Sequence, residues 1–302
     1  MLNRRILRVK TFKMIYALTE NPEMSLKEAG KALERSCEAT RDLYLLLLTL
    51  TGPLTDEAST RIEASRSKFS ATPEERNPNL KFLRNRIPAL FAEDPDFQRI
   101  IKKKKLSWQP YDAFLRHLYE EVREQKWFAA YMDSGEDSLR EDAALWGRIY
   151  PLLEDNPELD AILEDLSINW SDELPYALRC AIRTMQTLGE GKEWTLPPLY
   201  KSEMDKRPAA ESDRDFTSSL LRQAVSGFNR YKEQVSEHTK KWNLDRICAT
   251  DLALIVCGLA EAEAFPRTPK NIIINEYVEI SKYYSTPESS GFVNGLLDKL
   301  LQ

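Results

Sequence analysis

Histidine is nearly missing from this chain: His117 and His238 are the only two among 302 residues, and neither stands near a serine or cysteine motif that would pair a nucleophile with its base. Cysteine is sparse and scattered. Cys37, Cys180, Cys248 and Cys257 form no CxxC pair, which leaves neither a zinc site nor a disulfide framework and reads them as packing residues. There is no Walker loop, no GxGxxG after a strand, no HExxH and no DxDxDG calcium loop. The carboxylates of Glu276 and Glu279 share a helix with Lys282 one turn on, so ion pairing accounts for them. An enzyme, a metal site and a resident cofactor are therefore not expected. Long apolar runs are lacking as well: the greasiest, Leu43 to Leu50, falls far short of the roughly 20 residues that span a bilayer. Thr11, Lys13 and Glu20 interrupt the basic N-terminus and no small-residue cleavage site follows, so no secretory leader is expected and the expected compartment is the cytoplasm.

What is present is helical. Hydrophobic residues make up 42% and charged residues 30% of the chain, and ten glycines against sixteen prolines suit helices broken at definite points. The length predicts two domains rather than one core. A net charge of -5 excludes wholesale coating of nucleic acid, so any nucleic-acid site must be local. The first helix, to about Leu18, carries Arg4, Arg5, Arg8, Lys10 and Lys13 with no acidic residue among them. Read by composition alone, that is a solvated basic face. Asn21-Pro22 ends it, and Ser25 with Glu28 forms a capping box for a helix to Leu50. A further helix over 56–69 runs into a proline- and asparagine-rich turn over 71–79.

Between Leu83 and Trp170 the chain aligns with itself without gaps at an offset of 62 residues, 83–108 against 145–170, with Arg86-Ile87 facing Arg148-Ile149, Pro95 facing Pro157 and Trp108 facing Trp170. Each copy reads as a helix, an Asp/Asn-Pro break and a second helix fixed by a tryptophan. The basic run Lys102 to Lys105 has acidic residues in the second copy, which argues for surface decoration. Most of the tryptophans lie in this middle region and are expected in the core. A turn-rich passage from Gly189 to Asp213 follows, then a long amphipathic helix from Asp215 to about Lys240. Ile273, Tyr277, Ile280 and Tyr284 mark the buried stripe of another helix, and Thr286-Pro287 is expected to stop it and cap the next. That last helix carries Gly291 and Gly295 one turn apart, a pairing that predicts a close approach by a neighbouring helix or a ligand.

The run Pro269, Ile274-Asn275-Glu276, Glu279 and Lys282, followed by Ser289, Phe292-Val293-Asn294-Gly295 and Leu297-Asp298-Lys299, resembles the C-terminal signature of the NusB transcription antitermination family. Trp242-x-x-x-Arg246-Ile247 with Asp251 to Glu261 is similar to its preceding helix, and Asn3-Arg4-Arg5-x-x-Arg8 leading to Ile15-Tyr16 to its arginine-rich first helix. The resemblance implies an all-α fold: a NusB-like helical bundle formed by both chain ends, 1–20 with 211–302, interrupted by a helical insertion over 21–210. It further implies recognition of single-stranded boxA-type RNA together with ribosomal protein NusE, in the service of the transcription elongation complex and ribosomal RNA synthesis. Arg4, Arg5, Arg8 and Lys10 would then meet phosphates, Lys282, Ser289, Phe292 and Asn294 would hold the RNA near the last helix, and Asp251 would face the protein partner. The alternative is a helical protein-protein interaction scaffold that keeps the fold and has lost RNA binding.

Overall fold

The structure, a computed structural model, describes residues 1–21, 23–170, 172–206, 212–239 and 247–302. Among these, all regular structure is helical, and the one β contact is an isolated parallel bridge between Leu2 and Tyr200. The elements in order are α1 (Arg4–Glu20), α2 (Leu26–Thr49), α3 (Thr51–Arg66), α4 (Pro73–Arg76), α5 (Arg86–Ala92), α6 (Pro95–Lys104), α7 (Asp112–Glu124), α8 (Lys126–Asp133) and α9 (Leu139–Ile149). They continue with α10 (Pro157–Leu166), α11 (Leu174–Gly189), α12 (Lys201–Met204), α13 (Asp213–Ser226), α14 (Phe228–His238), α15 (Ala249–Ala264), α16 (Lys270–Tyr284) and α17 (Ser289–Leu300). Trp242, Arg246 and the Lys240 end of the expected long helix lie outside the described residues, as do 207–211 of the turn-rich passage.

The chain divides into two compact units, Met1–Glu38 with Pro198–Gln302, and Ala39–Pro197. In the first, α15 is the centre. Nearly every residue from Ala253 to Glu261 is buried, as a helix that is apolar all round requires. Helices α1, α13, α14, α16 and α17 each pack against it. Gly258 is what lets α17 lie close: a methyl group there would stand 2.8 Å from Leu297 Cδ2 and 3.4 Å from Tyr277 Cδ2. The two segments of this unit meet at the bridge, where Leu2 N–H donates to Leu199 O and Lys201 N–H donates to Leu2 O, both at 2.8 Å. The capping box that opens α2 forms as the sequence indicates, with Ser25 N–H donating to Glu28 Oε2 at 2.9 Å and Glu28 N–H to Ser25 Oγ at 3.3 Å.

Three helices differ from the sequence reading. The one expected over 56–69 is α3, which opens five residues earlier at Thr51 and ends at Arg66. The expected single helix from Asp215 is broken into α13 and α14 at Gly227, over which the Tyr231 ring lies so closely that a side chain would collide with it. Thr286 does not cap α17, which begins three residues later at Ser289, because the Thr286 hydroxyl is paired with Ser289 Oγ at 3.0 Å and not with a backbone amide.

In the second unit the Leu43–Leu50 run of α2 is the buried centre, with Tyr44 and every leucine in it shielded from solvent. Trp108 and Trp170 donate their indole N–H groups to Leu46 O and Ala39 O of that same helix, at 2.9 and 2.8 Å. Trp146 is buried too, while Trp127 and Trp194 are half-buried. Helices α6 and α10 start alike: Asp94 and Asn156 each accept two backbone N–H bonds, and Pro95 and Pro157 occupy the first turn. The segments before them differ, a short helix α5 in one case and the end of α9 with a 3-10 turn over Tyr150–Leu153 in the other.

Candidate functional site

Helix α1 is fastened to the core by the same cations that its composition advertises. Arg8 is 5% exposed, and its guanidinium donates two bonds to Glu261, Nε to Oε2 at 2.8 Å and Nη2 to Oε1 at 2.6 Å. Tyr277 OH donates to the same carboxylate at 2.9 Å. Burial works against the charge on Arg8, but the bonds and charge of Glu261 outweigh it and hold its pKa above the ordinary value. Arg5 forks onto Glu276 at 3.0 and 2.7 Å, and Arg8 adds a 3.4 Å contact to that carboxylate. The bond from Arg5, with the charge of Arg8, keeps Glu276 below the usual carboxylate range despite partial burial. Arg4 reaches Asp213 Oδ1 at 3.4 Å and lies 4.9 Å from the centre of the Phe216 ring. Lys10 is buried, donating to Ser36 O at 2.7 Å and Ser36 Oγ at 3.0 Å.

The nominated residues of the C-terminal helices divide in the same manner. Asp251 is buried at the start of α15 and accepts hydrogen bonds from Ser285 Oγ at 2.6 Å and Ser289 Oγ at 2.8 Å. Asp251 and Ser289 thus form one polar knot that fixes the turn between α16 and α17. Phe292 is half-buried and Asn294 exposed on α17, and Lys282 is exposed and ion-paired to Glu279. The glycine pair is open: a methyl group at Gly291 or Gly295 would meet nothing within 4 Å, so among the described residues no helix makes the close approach expected there.

What the structure does bring together is a seam between α1 and α16. Arg5 meets Glu276, Phe12 packs on Tyr284 with ring centres 5.6 Å apart, and Lys13 Nζ stands 5.3 Å from the centre of the Tyr284 ring. Beside this seam Tyr283 is 83% exposed and Tyr16 is 39% exposed. Sequence reasoning passed over Tyr283. Its signal was nonetheless present, because Ile273, Tyr277, Ile280 and Tyr284 fill the buried stripe and leave Tyr283 as an aromatic on the polar side. Chemically, Arg5, Lys13 and Lys282 can neutralise phosphates, and the free tyrosine rings offer faces on which unpaired bases stack. Among the described residues no group of three or more histidines, cysteines or carboxylates is placed to hold a metal ion.

A helical bundle tied at both chain ends, with cations and an exposed aromatic along one seam, has the build of a macromolecule-binding module. The chain belongs to the NusB family, whose family model matches residues 178–302. It is 34% identical to a transcription antitermination protein NusB of Salinibacter ruber over 116 residues, which are 38% of this chain and 70% of that protein. To the protein of the same name from Koribacter versatilis it is 30% identical over 128 residues, 38% of this chain and 88% of the relative. A third, from Methylacidiphilum infernorum, is 34% identical over 98 residues, 32% of this chain and 68% of the relative. No solved structure matches the chain. The family model begins inside α11 and leaves α1 and α2 outside it, although α1 packs directly on α13 and α15.

Proposed function

We propose that this protein is a transcription antitermination factor that binds boxA-type single-stranded RNA together with ribosomal protein NusE, and that the α1–α16 seam is where the RNA lies. The observation that carries this reading is Tyr283, an aromatic ring left 83% exposed next to Lys282 and to the seam that Arg5 and Lys13 line. Single-stranded RNA is recognised by stacking and by base edges, with phosphate contacts adding affinity that carries no sequence information. In this arrangement Arg5, Lys282 and the half-exposed Arg4 meet phosphates, Tyr283, Tyr16 and Phe292 stack bases, and Asn294 reads an edge. Arg8 and Lys10 hold α1 in place and do not touch RNA. Ser289 and Asp251 act likewise, by shaping the α16–α17 corner that RNA and the protein partner would meet. The middle of the chain is an inserted helical domain in this reading.

The scaffold alternative draws its support from the internal pairing of the α1 cations. Titrating purified protein against a labelled boxA-like RNA, with and without NusE and at two salt concentrations, separates the two. Binding that falls steeply with salt and weakens about tenfold in Tyr283→Ala, the loss of roughly 1–3 kcal/mol expected for one stacked base, supports the RNA reading. No binding with both partners present, or none lost in Tyr283→Ala combined with Arg5→Ala, refutes it.

A further inference from the structure

We propose that a second cationic groove of the first unit, between the opening half of α2 and the α13 helix, grips the phosphate backbone of the same single-stranded RNA as it leaves the α1–α16 seam. The inference rests on the RNA reading above but on different residues. A cavity of about 620 Å³ lies there, within the 300–1,000 Å³ range typical of small-ligand sites. Lys27 and Lys31, one turn apart on α2, line one wall, and Arg214 and Arg222, two turns apart on α13, line the other. Arg214 is already committed to Glu34 at 3.4 Å. Lys27, Lys31 and Arg222 are exposed and, among the described residues, none of the three makes an ion pair or hydrogen bond. Asp215 is the acidic residue left facing them, so the unpaired charge in the groove is positive.

Lone exposed cations are ordinary. What distinguishes these three is convergence from two helices on one concave space, where low-dielectric walls concentrate the field on whatever enters. An anion is the complementary occupant, and several phosphates in a row match cations on both walls better than one. The buried Leu33, Leu221 and Tyr200 beneath supply an apolar floor for ribose and base. The α2 wall lies outside the stretch matched by the family model, and the α13 wall inside it.

The experiment uses the full chain and a labelled boxA-like RNA extended by an oligouridine tract, titrated across salt. For the variant Lys27→Ala/Lys31→Ala/Arg222→Ala the expected result is about tenfold weaker binding at low salt and a salt slope shallower by about 2, at roughly 0.7 per lost contact to a single strand. Acylation of lysines in the wild-type protein, read by mass spectrometry, provides a test that needs no variant: the RNA should protect Lys27 and Lys31. Wild-type binding with an unchanged triple variant and unprotected lysines overturns the groove while leaving the seam intact. Protection by inorganic pyrophosphate without protection by the RNA overturns RNA as the occupant. Absence of any wild-type binding overturns the RNA reading itself, and the groove proposal with it.

Discussion

Helix α1 and the α2–α13 groove each gather several cations within one unit, and they put them to opposite uses. On α1 the arginines turn toward carboxylates: Arg8 to Glu261, Arg5 to Glu276 and Arg4 to Asp213. In the groove Lys27, Lys31 and Arg222 face solvent with no carboxylate bonded to them. Local charge density in the sequence is higher on α1, yet available charge is higher in the groove. A basic run therefore shows where charge is stored, and the partners supplied by distant segments decide whether it is free for a ligand. Glu261 and Glu276 are more than 250 residues away from Arg8 in the chain.

The comparison breaks most visibly if α1 is stripped of its buried cation. Arg8→Ala leaves the Glu261 carboxylate buried with only the Tyr277 hydroxyl, and removing one member of a buried pair costs about 3–5 kcal/mol, to be read as a lowered denaturation midpoint in urea. Gly258→Ala comes next. The added methyl collides with Leu297 and Tyr277, and overpacking of this kind costs about 1–3 kcal/mol in the same assay. Arg5→Ala should cost at most about 1 kcal/mol, because the Arg5 side chain is more than half exposed. That variant also sharpens the pH behaviour. Glu276 has a folded-state pKa below its ordinary 4.5, so its pairing stabilises the fold above that pH and the contribution is lost as pH falls through the depressed value. Without Arg5 the depression shrinks, and acid unfolding of the variant should begin at a higher pH than that of the wild type. Smallest of all, the Lys27/Lys31/Arg222 triple alanine variant should change stability by no more than about 0.5 kcal/mol for each site, as exposed side chains without partners do.

Much of the architecture could be read in advance because helical periodicity is local. The stripe Ile273, Tyr277, Ile280 and Tyr284 and the Ser25–Glu28 capping box each reported an element from residues a few positions apart. Asn21 likewise marked where α1 stops, and the turns near Asp213 were expected to return the chain to the first unit. They did not mark where the compact units divide, because residues of α2 as far as Glu38 and of the chain from Pro198 onward are held by long-range bonds such as Lys10 to Ser36 and Leu2 to Leu199. The break at Gly227 was missed because it depends on where the Tyr231 ring settles. Site residues were legible by type but not by availability. Arg8, Lys10, Ser289 and Asp251 carry suitable chemistry, and it is spent inside the fold. Tyr283 and the groove, whose chemistry is unspent, needed the partners of every neighbouring side chain before they stood out.

The most direct measurement is the salt dependence of boxA-like RNA binding in three proteins: wild type, Tyr283→Ala with Arg5→Ala, and the Lys27/Lys31/Arg222 triple alanine variant. The account predicts that both variants bind more weakly than wild type, and that the groove variant shows the larger flattening of the salt slope because it loses the larger number of unpaired cations. Equal affinity and equal slope in all three proteins would contradict it.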